Sequence, residues 1–440
     1  MSVDAVRPSM LFRFSLYGFL KNQLYFEPFF AIILLGRGLD FFEIGVVFAV
    51  ADVVTNVLEV PSGWVADHWG RRRSMILSFS AYLASFVGYA FADGLGWCIP
   101  AAVCFGVGEA FRSGTHKSMI FEWLRKRGRL AERTRVYGFT RSWSQIGSAV
   151  AVVISAGLAL WMTQLRWLFL IACVPYVLGL LNLWSYPDEV EHHVGSTSAG
   201  AGSTSAGAGS PSAGHEGFFA TLALVFSRPG LRRLVLESCA VQGVEKLLKP
   251  YIPVFLALAG LPVVLELSQA GGGLHDAADR LPVQSVLWIA VVVACLHLFS
   301  ALGSRQAHRI AALEAPGARV PRRLWTGVFV MISLQVVGVG LGSFLPAAIG
   351  FVGFAFLFNA WRPAFLTRFD VDTPPDRQAT ILSIESQANT AFSAILAPLG
   401  GAMVDRWGLP IIFILCLAIV ATLFGLRGDA PAAGRDPENA

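Results

Sequence analysis

An all-α integral membrane fold, twelve spans in two pseudo-symmetric six-helix bundles, follows from three features of the 440-residue sequence. The chain is 55% hydrophobic and only 14% charged, where a soluble domain carries about a quarter charged residues. Twelve apolar segments are long enough to cross a bilayer, which takes about 20 residues each. A stretch with no apolar residue larger than Ala, "GSTSAGAGSTSAGAGSPSAG" at 195–214, divides those segments six and six.

The first segment, 10–36, follows "MSVDAVRPSMLF" and runs apolar to Leu35. That is longer than the ~7–15-residue core of a signal peptide, and no small-residue cleavage site follows. It is therefore expected as a retained first span. The next five fall near 42–64, 74–92, 97–120, 136–160 and 167–186; the second set falls near 232–260, 283–302, 324–345, 347–367, 379–403 and 409–427. The first, fourth, seventh, tenth and eleventh contain interior charges. The Gly/Ser/Ala stretch cannot bury a core and is expected to be a disordered tether, about 25 Å long on average. The domain plan is thus a bundle over 1–190, a linker over 191–230, a bundle over 231–428 and a tail over 429–440.

Threading follows from the loops. With the N-terminus inside, the inward loops carry nineteen Lys and Arg, including Arg71 to Arg73 and Arg125 to Arg135, against four outward: Arg37, Arg166, Arg280 and Arg406. This bias predicts that both termini and the tether are cytoplasmic, in a bacterial-type inner (plasma) membrane. The same distribution accounts for the net charge of +5 without a nucleic-acid partner. The six cysteines stand singly in apolar surroundings, with no metal-ligand spacing, so disulfides and a metal site are not expected.

"GWVADHWG" at 63–70 recurs as "GAMVDRWG" at 401–408. The first copy falls at an inward loop and the second at an outward one, the relation an inverted three-helix repeat produces. Arg112 and Arg362 are a weaker echo between the fourth and tenth spans, as is "TRVYGFTRSWSQ" at 134–145 against "DRQATILSIESQ" at 376–387.

Twelve spans, a long middle linker and G-x-x-x-D-x-x-G-R-R between the second and third spans resemble the major facilitator superfamily, drug:proton antiporter-type members in particular. The resemblance covers essentially the whole chain. It implies that Gly63, Asp67, Gly70, Arg71 and Arg72 form a gate, with Asp67 set against the start of the eleventh helix near Gln378 and Arg71 reaching Glu122. Breaking the cluster would let the halves rock. The corresponding loop of the second half, "LGSRQAHRIAALEAPGARVPRR", lacks the aspartate and the GRR. The residues carry a physical reading of their own. Gly63 permits close helix approach, Gly70 with Arg71 makes a tight turn, and Asp67 and Arg71 can pair across one helical turn. Arg71 to Arg73 as mere topology anchors would need neither Asp67 nor Gly70.

Ionisable residues within spans are costly and mark candidate sites. By the resemblance, spans one, four, seven and ten line a central cavity. Tyr17, Lys21, Tyr25, Arg112, Gln242, Asn359, Trp361 and Arg362 are the substrate-binding candidates. Glu27, Asp52, Glu109, His116 and Glu245 are the proton-coupling candidates, because burial brings carboxylates toward the working pH and histidine titrates near it. Glu109, Arg112 and His116 share one helical face. Internal pairing is the alternative: Glu109 with Arg112, Glu245 with Lys246 or Lys249. His297 reads as a packing residue. Aromatic residues on these spans, Phe19, Phe26, Phe105, Phe354 and Phe358 among them, suit an amphipathic or aromatic solute.

A secondary active transporter working by rocker-switch alternating access is expected, with proton-coupled efflux of a small amphipathic or aromatic organic solute as the first reading. Movement of an organic anion held by Lys21, Arg112 and Arg362 is the second, and a transporter-like sensor a distant third. No P-loop appears, and neither does HExxH, GxSxG or a Ser/His/Asp set, so neither ATP drive, nor an enzyme, nor a cofactor is expected. The partners are a small-molecule solute, protons or another coupling ion, and the lipid bilayer. One chain holds a complete pathway, so a monomer suffices.

Overall fold

The computed structural model describes residues 8–113, 115–187, 223, 225–258, 281–312, 322–372 and 378–425. The tether over 195–214 and the tail over 429–440 lie outside these residues. The described residues are helical, without strands. In the first half the helices are α1 (Pro8–Leu20), α2 (Phe30–Leu35), α3 (Phe41–Trp69), α4 (Arg71–Phe91), α5 (Leu95–Arg112), α6 (Thr115–Lys126), α7 (Arg133–Trp161) and α8 (Trp167–Trp184). In the second half they are α9 (Pro229–Leu248), α10 (Tyr251–Leu258), α11 (Val283–Ala312), α12 (Arg322–Gly340), α13 (Phe344–Asp372), α14 (Gln378–Trp407) and α15 (Pro410–Gly425). Six of these helices are individually long and apolar enough to cross a membrane. Of the segments with interior charges, the first, fourth, seventh and eleventh fall outside these six while the tenth, α13, is among them; the ninth and twelfth are apolar but shorter.

Three expected continuous spans are broken. The first divides into α1 and α2, joined by non-helical residues 21–26 and a 3-10 turn at Glu27–Phe29. The fourth divides into α5 and α6 around Ser113, so Glu109, Arg112 and His116 do not continue on one unbroken helical face. The seventh divides at Lys249 and Pro250 into α9 and α10. Backbone freed at membrane depth persists only where protein or a water-filled cavity satisfies it. Here the break in the first span is tied to α7 and α8: Asn22 Nδ2 donates to Ser144 O (2.5 Å), Gln23 Nε2 to Gly147 O (2.9 Å), and the Tyr176 hydroxyl to Lys21 O (2.7 Å).

Within the first half α4 packs on α5 and α8, α3 on α5, and α1 on α7. Its core is aromatic: Phe26 meets Phe169 at 4.4 Å and Phe86 at 5.0 Å between ring centroids, and Tyr82 meets Tyr176 at 5.4 Å. In the second half α13 packs between α11 and α12, and α9 lies on α14 and α15. The halves meet chiefly along α3 and α14, with α7 on α11 and α2 on α10 beside them.

The α3–α14 seam is closed over part of its length. Near the start of α3, a Cβ on Gly45 would stand 2.7 Å from Pro398 Cα, and one on Gly401 would run into the backbone of Phe41. Only glycine lets two helix backbones come this close. One face of α3 carries Gly45, Asp52, Asn56, Glu59 and Gly63 at three-, four- and seven-residue spacing. Asn56 Nδ2 donates to Gln387 O (3.2 Å), but Glu59 and Gly63 are exposed and a Cβ on Gly63 would meet nothing. Gly63 therefore does not mediate the close approach expected of it here. The seam is zipped from Gly401 to Asn56 and open beyond, toward the Arg-rich loops.

Candidate functional site

Asp405, the aspartate of the second motif copy, closes the zipped end. Its carboxylate accepts from Phe41 N (2.9 Å) and Phe42 N (2.8 Å), the first amides of α3. That terminus already carries a capping box: Glu43 N donates to Asp40 Oδ1 (2.7 Å) and Asp40 N to Glu43 Oε2 (3.1 Å). Free amides and the helix dipole make such an end an anion site, and here the anion comes from the other half of the molecule.

At the opposite end the first copy is arranged differently. Gly70 sits at φ 99°, a conformation that favours glycine, and lets α4 begin directly after α3. Arg71 lies 3.5 Å from Asp67 and donates to Ser118 O (3.2 Å), while Arg72 donates to Trp184 O (2.8 Å). Arg71 thus reaches α6, the helix of Glu122, but the Glu122 carboxylate is paired with Arg125. The Gln378 side chain expected opposite Asp67 lies outside the described residues.

Between the two ends the charged residues fall into pairs. In the first half Arg112 Nη2 donates to Glu109 Oε2 (2.5 Å), and the Tyr82 hydroxyl bridges the two, donating to Glu109 Oε1 (2.6 Å) and accepting from Arg112 Nε (3.0 Å). In the second half Arg362 clamps Glu385 at 2.8 and 3.1 Å, and Gln242 (2.8 Å), Asn389 (2.7 Å) and the Ser238 hydroxyl also donate to that carboxylate. Glu385 is 2% exposed and Arg362 29%. Two further pairs join the halves: Lys249 to Glu27 at 2.9 Å, between the breaks of the first and seventh spans, and Lys246 to Asp52 at 3.0 Å.

Two ionisable candidates stand outside these pairs. Among the described residues, neither the Lys21 ammonium nor the Glu245 carboxylate has a hydrogen-bond or ion-pair partner. Glu245 makes no direct contact with either lysine, but the charges of both Lys249 and Lys246 act on it. His116 stacks on Tyr17 with centroids 3.8 Å apart, and its buried Nε2 has no hydrogen-bond partner among the described residues.

A cavity of about 290 Å³ lies between the halves beside the Glu27–Lys249 bridge. Asn22, Ser148, Glu245, Ser300 and Asn359 give it polar walls, and Phe351, Phe354 and Phe358 an aromatic one. His297 also lines this cavity. A second cavity of about 180 Å³ lies along the closed seam, with Asp52, Lys246, Tyr251 and Ser393 on its wall. Of the other sequence candidates, Tyr25 and Trp361 are buried inside their own halves, the latter stacked on Phe365 at 4.3 Å. Phe26 likewise packs within its half. Sequence reasoning missed Tyr82, whose position in the third span carries no pattern of its own, and it placed Glu385, Lys246 and Lys249 on their helices without their partners.

The family model of the Major Facilitator Superfamily matches residues 14–427. The chain belongs to this superfamily. As a member of it, the chain is a non-enzymatic, transporter-family protein of the bilayer. A superfamily relative, an uncharacterized MFS-type transporter YxaM of Bacillus subtilis (strain 168), is 29% identical over 95 residues, 22% of this chain and 24% of the relative. The chain therefore matches about a quarter of that relative's length. Among superfamily-like solved structures, the nucleoside transporter NupG superposes with a TM-score of 0.72 at 10% identity, covering 96% of this chain and all of the other. A bacterial homolog of the human lysosomal transporter Spinster, inward-facing and occupied, gives 0.68 at 14% identity over 96% of both chains. At these identities the likeness is one of fold.

Proposed function

We propose that this protein is a proton-coupled secondary transporter that exports a small amphipathic or aromatic organic solute by alternating access. The carrying observation is the cavity between the halves, zipped shut toward Asp405 and open toward the Arg-rich loops, with a carboxylate that makes no direct ion pair, Glu245, on its wall. A solute enters from the open end and stacks on Phe354 and Phe358. Glu245 carries the proton, since its carboxylate makes no direct ion pair or hydrogen bond and the charges of Lys249 and Lys246 reach it only through space. Transition between states breaks the Asp405 latch and closes the Asp67–Arg71 end. The Arg-rich end is cytoplasmic, the unit is a monomer in a bacterial-type inner membrane, and residues 191–230 tether its halves. An inward-facing relative of like fold supports this assignment of the open end.

The organic-anion reading finds less support. Of its three cations, Arg112 and Arg362 are already held by Glu109 and Glu385, which leaves Lys21 alone.

The test is exchange in proteoliposomes of the purified protein. Under an imposed pH gradient, aromatic amines, neutral nucleosides and aromatic amino acids are offered one at a time, and proton release is followed with a pH-sensitive dye. Solute-dependent proton flux that Glu245→Gln abolishes, while counterflow without a gradient persists, is the expected result. Solute flux indifferent to pH in both proteins refutes the coupling.

A further inference from the structure

Among the described residues, ten charged side chains make up the pairs and unpaired candidates above: Lys21, Glu27, Asp52, Glu109, Arg112, Glu245, Lys246, Lys249, Arg362 and Glu385. Eight of them form the four ion pairs above. The remainder is one cation, Lys21, on the first half, and one anion, Glu245, on the second. Neither makes a direct contact with an opposite charge, although Glu109 acts on Lys21 and both Lys249 and Lys246 act on Glu245 from a distance; a charge so held at membrane depth is costly, and two opposite charges, one in each half, are met together by one dipolar ligand.

Their placement supports a common ligand. Each belongs to an interrupted span, the first and the seventh, which occupy corresponding positions in the two halves; such paired interruptions mark binding sites in transporters. The Glu27–Lys249 bridge ties the two breaks together and forms a fixed reference. Glu245 precedes Lys249 by one helical turn, about 6 Å along α9. Lys21 directly follows the end of α1 and precedes Glu27 in the chain. Each group thus precedes its own half's bridge residue in the chain, one in each half. Asn22, next to Lys21, lines the cavity with Glu245, and the Glu109 carboxylate is near enough to act on the charges of both Lys21 and Lys249.

We infer that the solute is zwitterionic, with its anionic group at Lys21, its cationic group at Glu245 and its apolar part against Phe354 and Phe358. This rests on the transport reading above and names the class of molecule it would serve. It also gives coupling a physical form: the ligand's ammonium and a proton compete for one carboxylate.

The experiment uses three probes of one skeleton with the purified full-length protein: L-phenylalanine (zwitterion), N-acetyl-L-phenylalanine (anion) and L-phenylalaninamide (cation). Affinity is read from ligand-induced thermal stabilisation. Wild type should bind the zwitterion at least ten-fold more tightly than either singly charged analogue. Lys21→Gln should bind zwitterion and amide alike, Glu245→Gln should bind zwitterion and acetylated anion alike, and Lys21→Arg and Glu245→Asp should keep the wild-type order. A singly charged analogue that binds wild type as tightly as the zwitterion overturns the inference. So does binding of none of the three, or an order that both glutamine variants preserve. The wild-type ranking decides even if a variant fails to fold. Proton-linked flux of a singly charged solute in the proteoliposomes would sink this inference while leaving the transport reading standing.

Discussion

Removing the Asp405 carboxylate should open the molecule at the end where it is now closed. The carboxylate accepts two backbone amides of α3 from the other half of the chain. Hydrogen bonds to a charged group contribute about 1.5–3 kcal/mol each where they are shielded, and an anion at an exposed helix N-terminus contributes about 0.3–1 kcal/mol. Asp405 is exposed and Phe42 is solvent-facing, so water replaces much of the second bond. Phe41 is buried, and its amide loses more. The sum is about 2 kcal/mol for Asp405→Ala. The latch exists only while the halves touch, so this loss falls wholly on the closed state and shifts the ratio of open to closed at this end by roughly thirty-fold. Ser393 reports it: it is buried on the wall of the seam cavity. With the six native cysteines replaced, Ser393→Cys should react with a membrane-impermeant maleimide about thirty-fold faster in Asp405→Ala than in its parent. Asp40→Asn is the counter-test, because the Asp40 charge opposes that of Asp405 and its removal should not raise the rate. Labelling within two-fold of the parent, or an equal gain in Asp40→Asn, would refute the latch.

Gly45→Leu should act in the same direction by steric means, since its side chain would enter the space of Ala397 and Pro398; the Ser393→Cys labelling rate rises while helix content by circular dichroism is retained. Arg362→Met should destabilise the protein by about 3 kcal/mol or more, because it leaves the Glu385 charge buried and unpaired. Adding Glu385→Leu should recover most of that loss, and thermal unfolding of the single and double variants in detergent checks both. Glu27→Lys and Lys249→Glu should each abolish counterflow by placing like charges across the bridge. The double swap should restore a measurable fraction, which a merely additive pair of defects would not.

The sequence by itself determined the class of the molecule and its layout. Lack of charge, twelve apolar segments and the break at 195–214 are one-dimensional properties, and the free energy of placing a peptide in lipid depends mainly on local composition. The positive φ of Gly70 and the pairing of Glu109 with Arg112 were also legible, the latter because residues one turn apart are neighbours in any helix; Asp67 and Arg71 pair instead across the Gly70 break between α3 and α4. Partners from separate helices were not. Nothing in the order of residues sets Lys249 against Glu27 rather than Glu245, or Lys246 against Asp52, since those distances depend on how the two halves lean together. Asp405 shows the difference most clearly: the repeat exposed it as a copy of Asp67, yet its bond to the start of α3 exists only because Gly45 and Gly401 let α3 and α14 touch at that end. Which charges are left over, Lys21 and Glu245, is likewise a property of the packed molecule, because a charge is unpaired only after every other group has been placed.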